Sequence, residues 1–121
     1  MIVGLGIDII EIERIAKAME NPRFLERILT AKEREFCTTP LKVAGRWAAK
    51  EAVAKAVGLH LTWHDVEILP DEMGAPTARV ASRYLDPARL KLKVSISHER
   101  KNAVAVALLE RLSFHAPESL I

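Results

Sequence analysis

Cysteine is almost missing. Cys37 stands alone in 121 residues, so no intramolecular disulfide can form, and a reducing, cytoplasmic setting is the expectation. Excess charge is also missing: 18 basic against 16 acidic side chains leave a net +2, too little to argue for nucleic acid. Basic residues can matter here only through local clustering. No apolar run reaches the ~18–20 residues that a membrane span needs. The amino terminus starts apolar but carries neither a basic n-region nor a small-residue cleavage site, so it does not read as a secretory signal. There are no repeats and no low-complexity segment. What is present is a chain that is 50% hydrophobic, long enough for one core without disulfide or metal staples. A single domain over 1–112 with a frayed tail over 113–121 is the expectation.

Along the chain, positions 1–10 read as a strand, with Val3, Leu5, Ile7 and Ile9 on one face and Ile2, Gly4, Gly6 and Asp8 on the other. Two glycines inside a strand predict the close approach of another element or a ligand. Positions 11–19 turn helical, with Ile12, Ile15, Ala16 and Met19 on one stripe. "NPRFLERIL" predicts a second helix opened by Asn21 with Pro22 at its first position. "TAKE" reads as a capping box, Thr30 with Glu33. A long helix is expected from about 41 to 57, ended by Gly58. Beyond it come a short strand at "DVEIL", a turn cluster at "PDEMGAP", and "PTARVASRYL", ambiguous between strand and helix. Two strands, 92–98 and 103–109, are joined by a tight polar turn. That order is an α+β arrangement with mainly antiparallel pairing.

The long helix splits into two arcs. Ala48, Ala49, Ala52, Val53 and Ala56 make a small-residue arc suited to close packing. Arg46, Trp47, Lys50, Glu51 and Lys55 make a polar arc. In isolation that arc is a solvated face with a Glu51–Lys55 pair at i, i+4, worth about 0.2–0.5 kcal/mol. It equally suits an anionic ligand, the acid holding a metal and the cations holding phosphates. Asp8 is the other anomaly, an acid set in "IDII". A buried, unpaired carboxylate is too costly, so Asp8 must be solvated, paired with a cation or bound to a metal. Ser97 and His98 in "SISHE" could bind phosphate, but neighbouring strand residues face opposite ways, which argues against a Ser/His nucleophilic pair.

Taken together, "GLGIDIIEIERI", "FLERILTAKE", "RWAAKEAVAKAVG", "DVEI", "GAP" and "VSISHE" followed by "AVAVALLE" resemble the holo-acyl-carrier-protein synthases, the small trimeric type of 4'-phosphopantetheinyl transferase. The pieces occur in the family's order over nearly the whole chain. The resemblance implies that family's fold, a small mainly antiparallel sheet packed on a long helix and shorter N-terminal helices. It implies transfer of phosphopantetheine from coenzyme A to a serine of apo acyl carrier protein, releasing adenosine 3',5'-bisphosphate, in fatty acid biosynthesis. Magnesium is required in that family, held by the acids that match Asp8 and Glu51. With Lys55, which matches a lysine on the coenzyme A phosphates, these form the catalytic set. Arg46, Gly74, Pro76, Ser97 and His98 fall at coenzyme-A-binding positions, and Arg14, Arg23, Phe24, Arg27 and Trp47 at carrier-binding positions. Lys17 reads instead as a solvated charge.

The resemblance further implies a homotrimer with active sites between subunits, the "GAP" and "SISH" segments coming largely from the neighbour. Neither nucleic acid nor membrane is expected as a partner. Ala75 departs from the basic residue that many relatives carry there. Two other readings use the same residues: a module whose arginines grip an acidic partner without chemistry, and a magnesium-dependent nucleotide hydrolase with water as nucleophile.

Overall fold

Glycine decides how the first strand packs. Strand β1 (Ile2–Glu11) turns Gly4 and Gly6 toward the long helix α4 (Pro40–Val57). A Cβ on Gly4 would stand 2.0 Å from the Ala56 carbonyl oxygen, and one on Gly6 only 1.9 Å from that of Ala52. The expected close neighbour is therefore the backbone of α4. The structure, a computed structural model, describes residues 1–113; the remainder of the expected tail over 113–121 lies outside the described residues. Gly6→Ala is expected to lower the unfolding free energy by about 3 kcal/mol or more, the upper end for overpacking, because the obstacle is backbone rather than a movable side chain. A denaturant melt matching the parent would show that α4 does not lie that close.

After β1 come three short helices, α1 (Ile12–Ala18), α2 (Phe24–Ile28) and α3 (Ala31–Phe36). The second starts later than the sequence suggests. Asn21 does not cap it and Pro22 is not its first residue. Instead the Asn21 side-chain oxygen accepts from the Arg23 N–H at 3.0 Å, and the preceding amides close turns onto Lys17 and Ala18. The capping box of α3 forms as expected: Glu33 N–H donates to Thr30 Oγ1 at 3.3 Å, and Thr30 N–H to Glu33 Oε1 at 2.8 Å. Thr39 caps α4 through the Lys42 N–H, Pro40 occupies the first turn, and Gly58 ends the helix with φ 76°.

A 3₁₀ turn (Trp63–Asp65), which the sequence did not suggest, leads into β2 (Val66–Pro70), which pairs antiparallel with β3 (Pro76–Val80). The ambiguous "PTARV" is thus strand. Strands β4 (Leu90–His98) and β5 (Asn102–Arg111) complete a second, three-stranded antiparallel sheet in the order β1-β5-β4. Their turn is tied by Glu99, whose carboxylate accepts from the Lys101 and Asn102 amides. The α+β, antiparallel expectation therefore holds, with the strands divided between two sheets.

Helix α4 lies across the inner face of the three-stranded sheet, against Ala103, Ala105, Ala107 and Leu109 of β5. The small sheet, α1 and the α2–α3 region pack around it. No described helix is long and apolar enough to cross a membrane. Alternation along β1 could not say which face would be inner. The glycine face is, and the apolar face is left open: Leu5, Ile7 and Ile9 are 65, 62 and 64% exposed.

Candidate active site

Where β1 passes under the last turns of α4, three sequence-predicted residues come together. Lys55 Nζ donates to the Ile7 carbonyl at 2.8 Å and to Asp8 Oδ1 at 3.3 Å. Asp8 is thereby paired with a cation, one of the outcomes its place among isoleucines allowed. The expected Glu51–Lys55 pair is not made among the described residues; the β1 backbone and Asp8 take the ammonium instead. With the lysine half exposed, such a pair is worth at most about 1 kcal/mol. Lys55 is thus a charge held at the site rather than a fold-stabilising strut.

Glu51 sits one turn before Lys55 on the same helix. Its carboxyl keeps its proton to higher pH than a free glutamate does, first through burial and then through the charge of Asp8, with Lys55 opposing. The two acids therefore share one electrostatic neighbourhood. Hard oxygen donors in that number suit Mg2+, which takes one or two carboxylates and fills its shell with waters and substrate phosphate. Among the described residues no group of three or more His, Cys, Asp or Glu side chains converges.

The rest of the polar arc of α4 divides. Arg46 is half-buried, its Nε donating to the Ile68 carbonyl at 3.2 Å. Lys50 corrects the sequence expectation: it is 3% exposed, spent inside the protein, and cannot offer its charge to a solvent-borne anion. Trp47 is partly buried, its ring centroid 4.3 Å from that of Trp63 and 6.0 Å from that of Phe24. Phe24 is itself buried at 9% exposure. Such aromatic pairs add about 0.5–1.5 kcal/mol beyond burial. They clamp α2 and the 3₁₀ turn onto α4. Arg14, Arg23 and Arg27 are exposed, as is Lys17.

The remaining predicted residues lie elsewhere in the chain. Gly74, at the tip of the β2–β3 hairpin, has φ 86°, a conformation that favours glycine. Asp71 shapes that turn by accepting from the Met73 and Ala75 amides. Pro76 opens β3. The register sets Ser97 across from Val104 and Ile9 on the sheet face opposite α4, and sets exposed His98 at the end of β4. No described hydrogen bond or ion pair joins Gly74, Pro76, Ser97 or His98 to Asp8, Glu51 and Lys55.

One charged residue with a second role was not foreseen from sequence. Glu33 caps α3 but also pairs with Lys50. The signal was the spacing of Lys50, seven residues from both Val43 and Val57, which puts it in an apolar row.

Residues 4–109 match the 4'-phosphopantetheinyl transferase superfamily. Holo-(acyl-carrier-protein) synthase of an Exiguobacterium species is 45% identical over 95% of this chain and 98% of its own. That of Alkaliphilus metalliredigens is 48% identical over 89% of this chain and 98% of its own. Among solved structures, the Bacillus anthracis synthase in complex with coenzyme A (3',5'-ADP) superposes with a TM-score of 0.79 at 39% identity, covering 93% of this chain and 99% of that one. The Helicobacter pylori synthase in complex with coenzyme A gives 0.81 at 32% identity, covering 88% and 99%. A match running from Gly4 to Leu109, with relatives 45 and 48% identical over most of their length, leads to one assignment: the chain belongs to the 4'-phosphopantetheinyl transferase superfamily.

Proposed function

We propose that this chain is a holo-acyl-carrier-protein synthase, moving 4'-phosphopantetheine from coenzyme A to a serine of apo acyl carrier protein in fatty acid biosynthesis. The observation that carries the reading is the meeting of Asp8, Glu51 and Lys55 at the β1–α4 crossing. The serine oxygen forms a bond to the phosphorus that bears the pantetheine. The bond from that phosphorus to the bridging oxygen breaks, and adenosine 3',5'-bisphosphate leaves with the electron pair. Asp8 and Glu51 would hold Mg2+, which when bound supplies positive charge to the pyrophosphate. Lys55 moves from Asp8 onto the phosphates and stabilises charge developing on the leaving bisphosphate. Glu51, or an ordered water that it orients, would accept the proton leaving the serine.

Arg14, Arg23 and Arg27 are the exposed cations we assign to an acidic carrier, together with Trp47 and Phe24. Each rim charge is worth up to about 1 kcal/mol, so Arg14→Ala with Arg27→Ala is expected to weaken carrier binding by up to about 30-fold. The loss should shrink in high salt. Coenzyme A binding should be untouched. Equal losses for both ligands in titration calorimetry would sink that division.

Arg46, Gly74, Pro76, Ser97 and His98 are assigned to coenzyme A. Since Ser97 faces away from α4, we place the contacts of Gly74, Pro76, Ser97 and His98 across a subunit boundary in a homotrimer, while Arg46 shares α4 with Glu51. The exposed apolar face of β1 supports such a boundary. A cytoplasmic setting suits the unpaired, buried Cys37. The deciding experiment is mass spectrometry of apo carrier protein incubated with the chain, coenzyme A and Mg2+. A gain of one phosphopantetheine supports the transferase. Steady bisphosphate release without carrier would favour a hydrolase instead, and carrier binding without either product a pure binding module.

A further inference from the structure

One buried ion pair outside the reacting groups ties α2, α3, the 3₁₀ turn and β2 to α4. Lys50 Nζ has three acceptors: Glu33 Oε1 at 2.6 Å, the Ile28 carbonyl at 2.8 Å and the Trp63 carbonyl at 2.9 Å. Glu33 is used as fully. Its Oε1 also accepts from the Thr30 N–H, and its Oε2 accepts from the Ile68 N–H at 2.8 Å. The two side chains are 2% and 0% exposed.

Each partner identifies an element with a task in the transfer. Ile28 is the last residue of α2, where carbonyls lack helical donors; α2 carries Arg27 and directly follows Arg23. Ile68 lies in β2, whose hairpin ends in the turn at Gly74. Lys50 directly precedes Glu51 on α4. Thr30, which shares Glu33, also donates to Glu67 of β2 at 2.6 Å, doubling the tie between α3 and the hairpin.

A buried ion pair is a poor device for stability alone, because desolvation offsets the attraction and an apolar pair can fill the same space. An apolar pair cannot fix the direction of the α2 carbonyl or of the β2 amide. We infer that Glu33 and Lys50 are positioning residues for the transfer, holding the carrier-side helix α2 in register with Glu51 of the same chain and the β2–β3 hairpin in place for the neighbouring site. This role rests on the transferase function proposed above.

The test is the double variant Glu33→Leu with Lys50→Met, which removes both charges together and avoids stranding one. With folding verified by circular dichroism and assays run well below the melting temperature, kcat/KM for the carrier is expected to fall on the order of 10–100-fold. KM for both carrier and coenzyme A is expected to rise. Unchanged kcat and KM values in the folded variant, whatever its melting temperature, would overturn the inference. Amide hydrogen exchange provides a readout independent of activity. Exchange over α2 and β2 should quicken while β1 and β5 stay protected, and parent-like exchange there also overturns it. If the double variant does not fold, Glu33→Gln, which keeps the shape and one acceptor oxygen, replaces it in both experiments. Weaker transfer with faster α2 and β2 exchange then supports the positioning role, and parent-like values in either overturn it. A parent that transfers no phosphopantetheine would sink the transferase reading, and the exchange comparison would still decide the positioning.

Discussion

Asp8→Ala and Glu51→Ala are each expected to lower phosphopantetheine transfer by about 10²–10³-fold or more, the size of loss seen when one group aimed at developing charge is removed. The fold should survive. Neither side chain belongs to the apolar core, and the contact between β1 and α4 is made by Gly4, Gly6, Ala52 and Ala56. Mass gain on an apo carrier, measured beside circular dichroism, separates lost chemistry from lost structure. Normal transfer by both variants would remove the metal and proton roles together.

A pH experiment on the metal-free chain addresses Glu51 directly. Its folded-state pKa is raised above 4.5, so burial and Asp8 disfavour its ionised form. Below the unfolded value both states are protonated and nothing is lost. As pH climbs through the raised folded value, the ionised carboxylate destabilises the folded chain, fully so above it. Glu51→Gln removes that effect. In chelator, the parent should therefore melt progressively lower than Glu51→Gln as pH rises from about 4 to 8. Added Mg2+ should reverse the deficit in the parent alone. A gap between the two that stays constant with pH would mean that Glu51 and Asp8 do not feel each other as described.

The second large effect concerns the outer face of the three-stranded sheet. In register, Leu5 stands beside Leu108 and Ile7 beside Val106, so apolar rows cross from β1 to β5. Ile7→Lys leaves a single chain undisturbed, because Ile7 is already exposed. It would set an unpaired charge into a subunit boundary, a cost of several kcal/mol. We expect that variant to sediment as a folded monomer and to lose transfer almost completely. A parent that is itself monomeric at assay concentration would end the shared-site proposal. Complementation sharpens the test. Glu51→Ala and His98→Ala, each inactive alone, should regain activity when unfolded and refolded together. About a quarter of the sites in a randomly mixed ring would then join intact halves. Ser97 points away from α4 in its own chain, which is the observation behind the shared-site proposal.

Much of this was readable from the chain by itself. The glycines at 4 and 6 announced close approach of another element, the box from Thr30 to Glu33 opened α3, Asp8 stood out as an acid among isoleucines, and Glu51 as the one acid on a cationic arc. Those are local facts: a missing Cβ, a capping geometry, a charge whose solvation must be answered somewhere. Tertiary structure decided what covers each face. Periodicity orders side chains around their own element, but it carries no information about which neighbour arrives. For that reason Lys50, grouped with Arg46 and Lys55 on a polar arc, turned out to lie under α2 and β2, where the 18-residue helix is enclosed on nearly every side. For the same reason the glycine face of β1 became the inner one and its isoleucines faced outward: only the bare side lets a helix backbone come within contact distance.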